Sequence, residues 1–232
     1  MLIKGIQKLT LLDYPGKTAC TLFTGGCNFR CPFCHNSELV LAPNDVESIS
    51  EDEVYAFLKK RRSLLDGVCI TGGEPTLQSD LIEFIEKLKS FGYAVKLDTN
   101  GYEPEKLKKI MDSGMVDYIA MDIKSSPRNY ARVAGIEELD FSRIERSVKL
   151  ISNSSIEHEF RTTVVNPLHS KQDFIEIGRW LKGEERYFLQ QFVNSGSVIC
   201  GGMSAASEAD MHEFLIAVRE FIPNAQLRGM NE

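Results

Sequence analysis

Six short apolar runs alternate with six amphipathic segments along this chain, and that alternation restricts the fold more than any other feature. The runs cover residues 18–23, 68–70, 94–97, 118–121, 158–165 and 187–193. Their apolar, partly β-branched character suits strands of a buried parallel sheet. The segments between them carry helical patterns. Ser50 precedes Glu53 by three residues, a capping box that opens a helix running to about residue 62. Leu81, Ile82, Phe84, Ile85 and Leu88 form one apolar face within 79–90, and Pro104 opens a third helix at its first turn. Further helices are expected over 141–151, 171–181 and 207–221. Repeated βα units imply parallel strands joined by right-handed crossovers. Six units are too few for an eightfold barrel, so the expected architecture is α/β, a partial, open (βα)6 barrel. No repeat, low-complexity tract or linker divides the 232 residues, so one domain over 1–232 is expected.

Composition narrows the class of function. Hydrophobic residues make up 43% of the chain and charged residues 26%, the balance of a globular domain with a sizeable core. A net charge of −6 argues against a sequence-independent nucleic-acid binder, which needs a basic face to displace counterions. No apolar run approaches the roughly 18 residues of a membrane span. The opening Met1-Leu2-Ile3-Lys4-Gly5 lacks a secretory leader pattern. The expected partners thus include neither nucleic acid nor membrane, and the expected compartment is the cytoplasm.

Three of the six cysteines, Cys27, Cys31 and Cys34, crowd into one stretch with C-x3-C-x2-C spacing, just after the first strand pattern. In a reducing compartment such a cluster reads as metal or redox chemistry. Three thiolates from one loop can hold three irons of a cubane cluster, leaving the fourth iron open to a ligand. A structural site would be closed by a fourth ligand. The alternatives are a Cys3His zinc site using His35 and accidental buried thiols. Adjacent residues such as Cys34 and His35 seldom ligate one tetrahedral metal. Cys20 and Cys69 lie in strand patterns and read as small core residues, and Cys200 reads as no ligand.

Other chemistry-bearing residues fall at the ends of the strand patterns. The glycines of Thr71-Gly72-Gly73-Glu74-Pro75 let backbone approach a ligand, and the Glu74 carboxylate can accept from an ammonium group. The plain alternative is an ordinary loop. Asp98, Asp122 and Lys124 end the third and fourth strands, where open α/β folds and barrels face their ligands. Asp98 could instead be a turn residue before Asn100-Gly101; Lys124 could be a solvated lysine. Arg161 and Thr163 alternate along the fifth strand and share a face, which could be the barrel interior, with Arg161 beside the bound ligand. A structural ion pair for Arg161 is the competing reading.

The cysteine spacing, with the aromatic Phe33 before the last cysteine, resembles the signature of the radical S-adenosylmethionine (SAM) superfamily. Asp13-Tyr14-Pro15-Gly16, the run from Gly26 to Asn36, Thr71 to Pro75, Leu97-Asp98-Thr99-Asn100-Gly101 and Met121-Asp122-Ile123-Lys124 fall in the order of its glycyl-radical-enzyme activating proteins. The likeness is greatest to the branch serving anaerobic ribonucleotide reductase. The resemblance implies a radical SAM barrel with a [4Fe–4S] cluster on Cys27, Cys31 and Cys34, and SAM on its free iron. It implies cofactor contacts from Phe33 and His35, and a Gly72-Gly73-Glu74 turn around the SAM amino group. It also implies SAM contacts from Asp122 and Lys124, and a monovalent cation near Asp98, Thr99 and Asp122. The pyruvate formate-lyase branch has a histidine on the sixth strand; this chain reads Leu189-Gln190-Gln191-Phe192, so Gln191 is the expected substitute. The implied partners are a glycyl radical enzyme and a low-potential electron donor of flavodoxin or ferredoxin type. Rival expectations are a radical SAM enzyme acting on a small molecule and a non-catalytic metal-binding module.

Overall fold

The computed structural model describes residues 1–194, 196 and 198–230. Strands β1 (Ile3–Thr10), β2 (Ala19–Thr24), β3 (Gly67–Gly72), β4 (Ala94–Thr99), β5 (Tyr118–Asp122), β6 (Glu157–Asn166), β7 (Tyr187–Gln191) and β9 (Gln226–Arg228) pair in the order β1-β2-β3-β4-β5-β6-β7-β9. A two-residue strand β8 (Ser204–Ala205) pairs with the end of β6. All neighbours from β2 to β9 are parallel, and β1 is an antiparallel edge. The helices are α1 (Ser37–Leu41), α2 (Glu51–Arg61), α3 (Leu81–Ser90), α4 (Pro104–Asp112), α5 (Tyr130–Ala134), α6 (Phe141–Ser152), α7 (Lys171–Trp180) and α8 (Glu208–Arg219). Each strand from β2 to β7 is thus followed by helix, the expected (βα)6 unit count. The capping box at Ser50 and Glu53 is formed, and Pro104 opens α4.

The sequence reading missed β1, β8, β9, α1 and α5. β1 is half-exposed, and its Lys4, Gln7 and Lys8 hide the apolar pattern. The others are two to five residues long, too short to show a period.

The two faces of the barrel differ in chemistry. Outward residues such as Val68, Ile70, Val95, Leu97, Ile119, Phe160 and Leu189 are buried in the main core. Inward residues follow the registers Cys69–Lys96–Tyr118, Asp98–Ala120–Glu159 and Asp122–Arg161–Phe188. This interior is charged, apart from a small cluster of Tyr14, Ala19, Tyr118 and Ala120 at the N-terminal ends of the strands. Tyr14 belongs to the Asp13-Tyr14-Pro15-Gly16 run, whose loop therefore plugs the barrel floor. Among the described residues, no helix is long and apolar enough to cross a membrane.

Candidate active site

The loop between β2 and α1 carries the three cysteines over the C-terminal mouth of the barrel. Neighbouring segments hold it through backbone bonds. Gly26 donates to Leu39, Arg30 donates to Ala134 at 2.9 Å, and Cys200 donates to Pro32 at 2.9 Å. The ring of His35 stacks on Phe192 at 5.0 Å, Phe33 meets Phe192 edge-on at 6.5 Å, and His35 Nε2 reaches the Val193 carbonyl. The end of β7 thereby anchors the loop. Cys27, Cys31 and Cys34 are all free thiols. Burial pushes the Cys27 thiol up to about 11 and the Cys31 thiol up to about 12, and raises Cys34 as well.

Beneath the loop lies a cavity of about 210 Å³. It brings together Cys27, Cys31, Phe33, Cys34, His35, Gly72, Gly73, Glu74, Asp98, Thr99, Asp122, Lys124 and Arg161 from five separate stretches of sequence. Of the expected site residues, only Gln191 stands apart. Its side-chain amide donates to the Ala206 carbonyl at 3.1 Å. The register explains the miss: Gln190 pairs with Thr163 and shares its inward face, whereas Gln191, one residue on, takes the other.

The turn after β3 requires its glycines. Gly72 has φ +115°, and a Cβ on Gly73 would lie 1.9 Å from the Gly26 carbonyl oxygen. Glu74 is 1% exposed. Its Oε1 accepts from the Thr76 hydroxyl at 2.6 Å, the Thr76 N–H at 3.1 Å and the Thr99 hydroxyl at 2.8 Å. Among the described residues, its Oε2 accepts only the Asn100 N–H, at 2.7 Å. Glu74 thus braces the turn against the end of β4, and Oε2 keeps acceptor capacity toward the cavity.

Asp98, Asp122, Arg161 and Lys124 form one ion-pair chain, and the turn-residue reading of Asp98 gives way. Asp98 lies within β4, and Arg161 bridges it to Asp122. Against the burial that would raise them, Arg161 with Lys96 holds Asp98 below the usual carboxylate range, and Arg161 with Lys124 does the same for Asp122. Lys124 is held charged against its own burial by Asp122.

Two asparagines went unassigned by sequence reasoning. Asn36 Nδ2 donates to the Gly72 carbonyl at 2.9 Å, and Asn100 Nδ2 donates to Asn28 Oδ1 at 2.7 Å. Both lie inside the motif runs, which was the available signal; their partners are distant in sequence.

The donor set fits a cubane cluster better than zinc. Among the described residues, no group of three His, Cys, Asp or Glu side chains converges on a single ion, whereas a cubane takes one thiolate per iron. His35 is engaged elsewhere. Asn28 Nδ2, next to Cys27 in sequence, is buried without a hydrogen-bond partner among the described residues.

The model of the radical SAM superfamily matches residues 21–181, and the chain belongs to that superfamily. Its members use a [4Fe–4S] cluster and SAM, and this protein is a radical SAM enzyme. A Methanocaldococcus jannaschii protein with the provisional name glycyl-radical enzyme activating enzyme is 30% identical over 240 residues, covering 99% of this chain and 97% of that protein. A Thermococcus kodakarensis protein, provisionally a GTP 3′,8-cyclase, is 30% identical over 134 residues, 56% of this chain and 43% of that protein. The fold is shared with Streptococcus suis SuiB bound to S-adenosylmethionine, at a TM-score of 0.67 and 15% identity over 88% of this chain and 48% of SuiB. Archaeal TYW1 gives 0.60 and 13% identity over 88% of this chain and 72% of that chain.

Proposed function

We propose that this protein, acting as a single domain over 1–232, installs a glycyl radical on a partner enzyme, anaerobic ribonucleotide reductase. The carrying observation is the end-to-end likeness to a relative named for glycyl-radical activation; the GTP cyclase likeness spans little more than half the chain. The motif order and the glutamines in place of a β7 histidine favour the reductase over pyruvate formate-lyase.

When bound, the cluster and SAM would supply one-electron reductive cleavage of the sulfonium and, through it, removal of a hydrogen atom from a glycine Cα–H. The chain's own residues hold and orient these groups. Cys27, Cys31 and Cys34 would hold the cluster, with Phe33 and His35 beside it. Gly72, Gly73 and Glu74 Oε2 would offer acceptors to the SAM ammonium. Lys124 would meet its carboxylate or ribose, and Asp122, aligned by Arg161, sets the lysine's position. A glycine loop of the partner would have to enter the barrel mouth, because transfer requires close approach. The electron comes from a flavodoxin or ferredoxin type donor. We assign the reaction to the cytoplasm, in keeping with the free thiols of all six cysteines.

The test is anaerobic incubation of reduced protein, SAM and candidate partners, read by electron paramagnetic resonance. A glycyl doublet is expected with the reductase and not with its Gly→Ala variant. A doublet on pyruvate formate-lyase alone would overturn the partner assignment.

A further inference from the structure

The resemblance implied a monovalent cation beside Asp98, Thr99 and Asp122, and the side chains there do not fit one. The two carboxylates carry four oxygens, and each already faces a fixed cation. Asp98 Oδ1 accepts from Lys96 Nζ, and Oδ2 from Arg161 Nη2 at 2.9 Å. Asp122 Oδ1 accepts from Arg161 Nε at 2.6 Å, and Oδ2 from Lys124 Nζ at 2.9 Å. Thr99 Oγ1 donates to Glu74 at 2.8 Å and accepts the Gly101 N–H at 3.1 Å.

Lys96 is the unusual member. It sits in a strand pattern otherwise apolar, points into the barrel and is 1% exposed. Its ammonium lies 3.8 Å from Cys69 Sγ and 5.9 Å from the Tyr118 ring centroid. Deeper in the barrel, Glu159 is paired with both terminal nitrogens of Arg228, at 2.9 and 3.0 Å, and accepts the Tyr118 hydroxyl at 3.0 Å. An incoming potassium or sodium ion would have to displace Lys96, Arg161 or Lys124 from its carboxylate. It would strand the side chain it displaced, and a buried charge without its partner is strongly unfavourable.

We propose that Lys96 and Arg161 occupy the role of a bound monovalent cation in this protein, so that SAM binding is independent of potassium and sodium. Arg161 joins the two strand ends that a metal would otherwise bridge, and Lys96 neutralises the Asp98 oxygen that Arg161 leaves. The inference rests on the proposed SAM site at the same strand ends.

The test titrates the anaerobically reconstituted protein with SAM in potassium, sodium or choline chloride at equal ionic strength, and follows the unfolding midpoint in the same salts. Dissociation constants that agree within about twofold are expected. A tightening of about tenfold or more in potassium or sodium over choline would overturn the proposal. Lys96→Met leaves Asp98 Oδ1 without its cation. That variant is expected to bind SAM about tenfold more weakly in choline and to recover with potassium or sodium. A folded variant whose affinity and midpoint ignore the salt would remove Lys96 from the role. If the variant does not fold, the parent's salt series decides. If the parent binds no SAM in any salt, the SAM-site reading fails instead; the unfolding midpoint then decides, since a rise specific to potassium or sodium marks a bound cation.

Discussion

His169 donates its Nε2–H to the backbone carbonyl of Lys124 at 2.8 Å. The tautomer follows from the other nitrogen: Nδ1 accepts the Val165 N–H at 3.1 Å, which places the proton on Nε2. Burial keeps the imidazole below its ordinary value, and so neutral. Two further side chains hold the preceding carbonyls. Thr162 Oγ1 donates to Ile123 at 2.7 Å, and the Tyr130 hydroxyl to Asp122 at 3.3 Å. Three successive carbonyls at the end of β5 are thus fixed from outside the strand, and with them Asp122 and Lys124.

His169→Phe removes one donor from a buried carbonyl, a loss of about 1–3 kcal/mol. SAM affinity is expected to fall about tenfold. His169→Gln, whose Nε2 can donate to the same carbonyl, should recover most of it. A SAM titration of both variants, alongside their unfolding midpoints, checks this. Equal affinity in both would show that the clamp does not orient Lys124.

Cys27→Ala, Cys31→Ala and Cys34→Ala are each expected to abolish the iron–sulfur absorbance after anaerobic reconstitution, while Cys20→Ala, Cys69→Ala and Cys200→Ala keep it. Cys200 is the informative control, because its N–H is bonded to the cluster loop at Pro32. Loss of the cluster in the Cys200 variant alone would disprove the open site.

Asp122→Ala and Lys124→Ala are expected to keep the cluster and bind SAM about ten- to a hundredfold more weakly, the effect of losing a charge-assisted hydrogen bond of about 1.5–3 kcal/mol. Iron content and a SAM titration separate the two properties. Unchanged affinity in both variants would put the end of β5 outside the SAM site.

Gly73→Ala should cost far more stability than Gly26→Ala, though the two glycines touch. A Cβ on Gly73 meets the Gly26 carbonyl oxygen at 1.9 Å, backbone that cannot move aside, whereas one on Gly26 meets nothing within 4 Å. Gly26→Ala is penalised only through its φ of +85°, about 1–2 kcal/mol. Gly73→Ala should exceed that by about 2 kcal/mol. Denaturant unfolding of both variants ranks them.

His158 and Glu184, half-buried away from the site and 3.2 Å apart, give stability a pH dependence of their own. The hydrogen bond to Glu184 raises His158 above 6.5. Its contribution is full below the unfolded value and is lost as pH rises through the folded one. Despite desolvation, His158 and Ser152 hold Glu184 below 4.5. That contribution is present above the unfolded carboxylate value and is lost as pH falls through the folded one. The pair should therefore stabilise most between about pH 4.5 and 6.5. The gap in unfolding midpoint between the parent and Glu184→Gln should be largest there and shrink toward pH 9. A gap independent of pH would refute the pairing.

The sequence by itself determined the unit count, the α/β class and the three-thiol loop, because these depend on short-range pattern. Apolar runs, helix caps and the spacing of Cys27, Cys31 and Cys34 are each legible within a dozen residues. So was the shared face of Arg161 and Thr163, since alternation along a strand needs no partner to establish it. Only the tertiary structure decided what the inward face carries. Strand register pairs Asp122 with Arg161, ion pairs join them to Asp98 and Lys96, and a one-residue step separates the inward Gln190 from Gln191. The bonds joining Glu74 to Asn100 and His169 to Lys124 span 26 and 45 positions. Such contacts are closed by the turn of the barrel and leave no periodic trace in the chain, so local pattern could not aim Lys96 at Asp98.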